Sequence, residues 1–259
     1  MKPTENTILI TGGSNGIGLE LASQFLKLGN TVIITGRNLS RLNEVKKKYP
    51  DLTVFQSDAG KPSDIKSLYE NVSKQFPGLN VLINNAGIMR KLNLHDTTMD
   101  LENINQEIDI NLSGPIRMVN QFLPLLKKQQ QAAIMNVSSG LAFVPFPISP
   151  VYSATKAGVH FYTQTLRVQL KNTNVKVFEL LPPLTNTDLQ NAFTADDMKG
   201  TQVMETAIMV EAAIKGFSND TFEIRPGQSN LLKIMSRIAP GFILKQMSRP
   251  VDSLLAQSK

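Results

Sequence analysis

Tyr152 and Lys156 stand four residues apart in Tyr152-Ser153-Ala154-Thr155-Lys156, a phenol and an ammonium in a stretch that reads as helix. Side chains at i and i+4 share one helical face, so the ammonium can sit beside the hydroxyl. A free tyrosine titrates near pH ~10 and transfers protons poorly at neutral pH. A neighbouring cation favours the phenolate, and Lys156 is expected to bring Tyr152 down toward the working range. Alone, such a pair is an ordinary solvated surface pair. Three further signals give it weight.

The first lies near the start of the chain. Thr7 to Ile10 form a short β-branched apolar run, Thr11-Gly12-Gly13-Ser14-Asn15-Gly16-Ile17-Gly18 follows, and Leu19 to Leu28 is apolar-periodic. That is strand, glycine-rich turn and helix. Glycines allow a tight turn and close approach to a ligand, and the helix N-terminus offers free N–H groups to a phosphate. A P-loop is excluded, because no Gly-Lys-Ser/Thr closes the motif. The second signal is Asn84-Asn85-Ala86-Gly87 after the apolar run Val81 to Ile83. The third is Asn136-Val137-Ser138-Ser139-Gly140 after Ala132 to Met135, with Ser139 thirteen residues before Tyr152.

In order and spacing, from about Thr7 to Thr187, these signals resemble the short-chain dehydrogenase/reductase family. Thr11 to Ala22, Ser138 to Pro145, Pro182-Pro183 and Met235-Ser236-Arg237-Ile238-Ala239-Pro240 look most like its bacterial DltE-type oxidoreductases, found with genes for D-alanylation of teichoic acids. The resemblance implies a Rossmann-type, doubly wound α/β fold: a seven-stranded parallel sheet in the order 3-2-1-4-5-6-7, helices on both faces. The residue patterns agree, with strands expected over 7–11, 31–35, 52–56, 79–83, 132–136, 174–180 and 220–224. Helices are expected over 17–28, 39–48, 62–76, 104–128, 150–171 and 201–217.

By the same resemblance, Tyr152 exchanges a proton with a carbonyl or alcohol oxygen. Lys156 depresses the Tyr152 pKa and bonds the nicotinamide ribose, and Ser139, rather than Ser138, binds the substrate oxygen. Asn111 matches a residue that holds a water in the proton relay. A mid-helix asparagine is unfavourable by propensity, so its placement calls for a specific reason. Gly12, Ser14, Asn15, Gly16, Ile17 and Gly18 are expected around the pyrophosphate, Asp58 and Ala59 at the adenine, and Asn85, Ala86 and Gly87 at its ribose. Pro182, Thr185 and Thr187 match the segment that meets the nicotinamide amide. Pro183 departs from the family, which has glycine there; proline fixes φ and removes a donor.

The cofactor expected is NADP(H). An NAD-preferring site needs a carboxylate near the end of the second strand to bond the ribose hydroxyls. Ile33-Ile34-Thr35-Gly36-Arg37-Asn38 contains none. Arg37 offers a cationic fork to a 2′-phosphate, and Ser14 and Asn38 could add neutral hydrogen bonds. Against this, Arg37 could cap a surface helix, and position 15 is Asn where some NADP enzymes carry a base.

For the substrate, Phe143, Val144, Pro145, Phe146 and Pro147, with Leu189, Phe193 and Met198, form either an apolar wall or core packing. An apolar carbonyl or secondary alcohol is expected. The expected function is therefore an NADP(H)-dependent oxidoreductase, with a catalytically weak cofactor-binding regulator or scaffold as the alternative.

Composition fits one domain. The chain has 259 residues, a net charge of +6 and no cysteine, so disulfide and thiolate chemistry are excluded. No apolar run of 18 residues and no basic-then-apolar leader occurs, and a cytoplasmic protein is expected. The cations are scattered and not interleaved with aromatics, so no nucleic-acid partner is expected. His95 reads as a loop residue, His160 as a packing residue, and no metal is assigned. The acidic stretch Asp96 to Asp109 reads as a solvated face. Ile104, Ile108, Leu112, Ile116, Val119, Phe122, Leu123 and Leu126 make a face wide enough for a homodimer or homotetramer. The extension 228–259 reads as two short amphipathic helices split at Pro240-Gly241. It is expected to cover the cleft or meet another subunit, ahead of docking on a membrane surface.

Overall fold

The computed structural model describes residues 1–96, 100–194, 197–198 and 202–256. Seven parallel strands form one sheet: β1 (Thr7–Ile10), β2 (Thr31–Gly36), β3 (Thr53–Gln56), β4 (Val81–Asn84), β5 (Ala132–Val137), β6 (Val175–Leu180) and β7 (Glu223–Ile224). Their order is β3-β2-β1-β4-β5-β6-β7. The strands are almost continuously apolar because both faces are covered. Ile8, Ile10, Val32 and Ile34 pack on one face against α1 (Gly16–Lys27), α2 (Leu39–Lys48) and α7 (Thr206–Ser218). Leu9, Ile33, Leu82 and Ile134 face the other way, against α3 (Pro62–Gln75), α5 (Gly114–Leu126) and α6 (Pro150–Gln169). That alternation is the period-two pleat of each strand.

Four segments depart from the sequence pattern by more than two residues. The helix expected over 104–128 is split into α4 (Leu101–Ile108), a π-helical turn at Asp109–Ser113, and α5. Pro115 is the reason: it has no N–H for the carbonyl of Asn111, four residues back, and its ring would press on that carbonyl. The helix expected from 201 starts at Thr206, because Met204 is held extended: its N–H donates to Leu184 O at 2.9 Å and its carbonyl accepts from Asn186 N at 3.1 Å. Thr201 itself lies outside the described residues. β7 is confined to Glu223–Ile224 because Asp220 takes a left-handed turn, φ 54°. The C-terminal segment forms three helices, α8 (Gln228–Ile238), α9 (Pro240–Met247) and α10 (Val251–Ala256). Pro240 begins α9 as its first residue, where a missing N–H costs nothing; residues 257–259 lie outside the described set.

Candidate active site

The C-terminal ends of β1, β2, β4, β5 and β6 open on one large cavity of about 1060 Å³, the crevice where an open α/β sheet binds its ligands. Gly12, Ser14, Asn15, Gly16 and Ile17 line it, as do Arg37, Asn38, Asp58, Ala59, Asn85, Ala86 and Gly87. Ser139, Tyr152, Lys156, Pro182, Thr185 and Thr187 line it too. Residues scattered over 175 positions of chain thus meet at one place because parallel strands all point their ends to one edge.

The glycine turn is built to bring backbone close to a ligand. Gly12 has φ 66°, and a β-carbon on it would lie 2.8 Å from Ala86 Cα. Asn85 braces the turn, its Nδ2 donating to the carbonyls of Thr11 and Gly12 at 3.0 Å each. Thr11 Oγ1 accepts in return from the N–H groups of Asn85 and Ala86. Gly18, expected at the pyrophosphate, does not reach the cavity. A β-carbon there would fall 2.2 Å from Gly12 O, so its lack of a side chain serves the packing of α1 on the turn.

At the far end, Arg37 is exposed at the tip of β2, and a β-carbon on Gly36 would lie 3.2 Å from Ser14 Oγ. Asn38, not Arg37, caps α2: its side chain accepts from Arg41 N at 3.0 Å, so its oxygen is committed to the helix. Two further lining residues, Arg41 and Asp188, were not singled out from the sequence. Asp188 Oδ2 accepts from Asn15 Nδ2 at 2.8 Å and lies 3.4 Å from Arg41 Nη1, joining the segment after β6 to the glycine turn and α2. No local motif marks such a link. The segment 183–187 is pinned as well: Thr185 Oγ1 donates to Pro183 O at 2.9 Å, and Pro182 O accepts from Gly140 N at 2.9 Å.

The proton-transfer candidates are all buried. Burial dominates the Tyr152 pKa on α6 and, with the nearby Glu107 charge, pushes it up to about 12, against the lowering effect of the Ser139 side chain. The depressed Tyr152 pKa expected from Lys156 is therefore not found. The Lys156 ammonium lies 5.6 Å from the Tyr152 ring centre and donates to Val137 O at 2.9 Å. Burial pulls Lys156 down to about 8, against the upward effect of the Glu179 charge. Asn111 is fully buried in the π turn. Its Oδ1 accepts from Ile88 N and its Nδ2 donates to Ile88 O, both at 2.8 Å, with Thr155 Oγ1 at 3.3 Å. Its side chain thus fixes the strand end beside Gly87, where a β-carbon would lie 3.3 Å from Asn111 Oδ1 and 3.6 Å from Lys156 Nζ.

Two readings of charged residues change. Glu107, assigned to a solvated face, is fully buried. It accepts from Arg90 N at 3.2 Å and faces Arg90 Nε at 3.5 Å, and burial raises its pKa despite that cation. Asp100, Glu102 and Asp109 remain at the surface; 97–99 lie outside the described residues. His160 does pack, its ring 5.0 Å from that of Phe143, but it also bonds the buried Glu179. His95 is an exposed turn residue.

The remaining wall is mixed, with apolar side chains beside Gln190, Asp197, Gln228, Gln246 and Arg249. Of the run Phe143 to Pro147 only Phe146 lines the cavity, with its ring 5.9 Å from that of Phe193. Leu189, Phe193 and Met198 line it, and α8 and α9 close it with Leu231, Leu232 and Met247. α8 reaches that place by packing on the turn after Ser139: a β-carbon on Gly140 would meet Ser229 Oγ at 2.8 Å. Among the described residues no group of three or more His, Cys, Asp or Glu could hold a metal, and no helix is long and apolar enough to cross a membrane.

Residues 6–198 match the family model described as short chain dehydrogenase. An uncharacterized oxidoreductase DltE of Bacillus subtilis (strain 168) is 48% identical over 73% of this chain and 75% of its own. Among solved structures, a short-chain dehydrogenase from Sphingobium yanoikuyae in complex with NADPH matches with TM-score 0.78 and 26% identity, over 91% of this chain and 97% of that one. A 3-ketoacyl-(acyl-carrier-protein) reductase from Brucella melitensis complexed with NADH matches with TM-score 0.79 and 26% identity, over 88% and 100%.

Proposed function

The chain belongs to the short-chain dehydrogenase family, and on that premise we propose that it is an NADP(H)-dependent oxidoreductase interconverting a carbonyl and a secondary alcohol. The observation that carries this reading is the meeting of Ser139, Tyr152 and Lys156 with the glycine turn and Arg37 on the walls of one cavity. The close approach of the Gly12 turn to Ala86 suits a pyrophosphate held by backbone N–H groups at the start of α1. Bound there, a nicotinamide cofactor supplies or accepts the hydride.

The chain's own groups do the rest. Ser139 Oγ bonds the substrate oxygen and polarises it. Tyr152, whose raised pKa keeps its proton in place at neutral pH, donates that proton to the oxygen as charge develops there. Lys156, cationic below about pH 8, offsets the tyrosinate that forms and bonds the nicotinamide ribose. Asn111 holds the Ile88 backbone rather than offering its side chain to a water; a relay water at this point would use its main-chain carbonyl, which Pro115 cannot bond. Asp58 and Ala59, Asn85 to Gly87, and Pro182, Thr185 and Thr187 take the adenine, ribose and amide ends in turn.

The two solved neighbours of equal identity hold different cofactors, so the preference rests on this chain: no acid at the end of β2, and Arg37 and Ser14 lining one cavity. The apolar wall of Phe146, Leu189, Phe193 and Met198 suits an apolar carbonyl. The likeness to the DltE-type proteins extends the proposal to a substrate of cell-envelope, teichoic-acid-linked metabolism. We further propose that the chain acts as one cytoplasmic domain in a homo-oligomer. A panel of apolar aldehydes and ketones, followed by NADPH absorbance with purified protein, tests the activity. Consumption with at least one class is expected. Tight NADPH binding without any turnover would instead support a regulator or scaffold.

A further inference from the structure

Behind the cavity wall, Glu179 of β6 is fully buried and its carboxylate joins two other segments. Ser138 Oγ donates to its Oε1 at 2.5 Å. His160 Nδ1 lies 2.9 Å from Oε2 and 3.1 Å from Oε1. Ser138 is the residue before Ser139, and His160 stands one helical turn after Lys156 on α6. Asn136 and Glu179 are register partners in β5 and β6, which puts the carboxylate under the strand end that carries both serines. His160 also packs its ring on Phe143, in the loop that leads toward Tyr152. A carboxylate this deep is retained only when it is well bonded or does electrostatic work.

We propose that Glu179 is a positioning residue for the proton-transfer machinery: its buried carboxylate clamps the Ser138-Ser139 strand end to α6 and holds a negative charge beside Lys156. This rests on the roles proposed above for Ser139, Tyr152 and Lys156. Gln164 Nε2 lies 2.9 Å from His160 Nε2. With that amide donating to Nε2, Nδ1 carries the N–H and donates it as a hydrogen bond to Glu179. The carboxylate charge acts on Lys156, whose pKa it raises against the stronger pull of burial. Glu223 is a second acid coupled by charge to His160. Glu223 of β7 is paired with Lys233 of α8 at 2.5 Å and with Arg225 at 3.4 Å, and Lys233 lies over the Phe143 ring at 5.5 Å. Tyr152 meets this system through Lys156.

The test is the titration of Lys156 followed by NMR in protein carrying 13Cε-lysine, its signal assigned by loss in Lys156→Arg. Glu179→Gln keeps the shape and removes the charge. Its Lys156 midpoint should move to lower pH by roughly half a unit or more, and the alkaline limb of carbonyl reduction should move with it while NADPH affinity holds. An unmoved midpoint overturns the proposal. Should Glu179→Gln fail to fold, Glu179→Asp replaces it: the charge remains but the shorter arm cannot reach both Ser138 and His160. Turnover should then fall with the midpoint in place, and wild-type turnover would overturn the clamp. The titration needs no substrate, so a protein that reduces no carbonyl sinks the functional reading and leaves this one to be judged separately.

Discussion

Tyr152 is subject to opposed influences, and the balance decides what its hydroxyl is fit for. Burial and the Glu107 charge hold the proton on; the Ser139 side chain works the other way. A phenol poised in this manner is an acid for reduction once Lys156 is cationic beside it. Tyr152→Phe removes one hydroxyl and almost no volume, so fold and NADPH affinity should persist. Turnover should drop by about 10²–10⁴-fold, the usual share of general acid–base catalysis. Steady-state kinetics beside a thermal melt would show it, and near wild-type rate would exclude Tyr152 as the acid. Arg37 and Arg41 are the cations lining the other end of the cavity, and Arg41 already faces Asp188. Arg37→Asp should weaken NADPH about tenfold to a hundredfold, the scale of one charge-assisted bond, with far less effect on NADH. Fluorescence titration with both nucleotides decides it, and a wild-type protein that binds NADH as tightly as NADPH would contradict the preference.

The strand–turn–helix unit of β1 and α1 depends on a close contact that only glycine permits. A β-carbon on Gly18 would sit 2.2 Å from Gly12 O and 2.4 Å from Asn85 Nδ2, and a backbone oxygen cannot rotate away. Gly18→Ala should therefore destabilise the fold by about 1–3 kcal/mol, as overpacking does, and loosen the turn that Asn85 braces. Thermal melts and NADPH affinity should fall together. Gly78→Ala is the control, since a β-carbon there meets nothing within 4 Å; a Gly18→Ala protein as stable as this control would refute the packing argument. The α4–π–α5 segment makes a related point. Its irregular turn places Asn111 against Ile88, so a residue poor in helices stands where the helix is not regular.

For the molecule as a whole, the apolar surface is unevenly spread. Ile108 and Ile116 are 38% and 37% exposed, and Phe161 and Val168 on the neighbouring α6 are each 66% exposed. Met118, Val119, Phe122 and Leu126 of α5 are meanwhile consumed by the core. The face left over is what an isologous contact would cover. Light scattering should give a dimer or tetramer, and Phe161→Glu should shift it toward smaller species. A monomer at micromolar concentration would defeat the expectation.

How much of this was legible in the chain divides along one line. Alternation of apolar runs, the glycine turn after Thr11 and the Tyr152–Lys156 spacing are local properties. Backbone periodicity needs only neighbouring residues, so strands and helices can be placed from it, while the strand order and the site residues follow from the family resemblance that the motifs carry. Other features have no local signal. Glu107 sits among surface acids in sequence, yet it is buried against Arg90; Asp188 reaches Asn15 across 173 positions of chain; Gly18 serves packing. The direction of the Tyr152 shift has no local signal either. Spacing along a helix says that Lys156 is near, whereas the pKa is set by how completely distant segments exclude water and where their charges fall. The α8 and α9 helices line the cavity rather than merely following the last strand, because Gly140 leaves room for Ser229. Sequence determines what a short stretch can form, while desolvation, charge coupling and close approach are decided only when remote stretches meet.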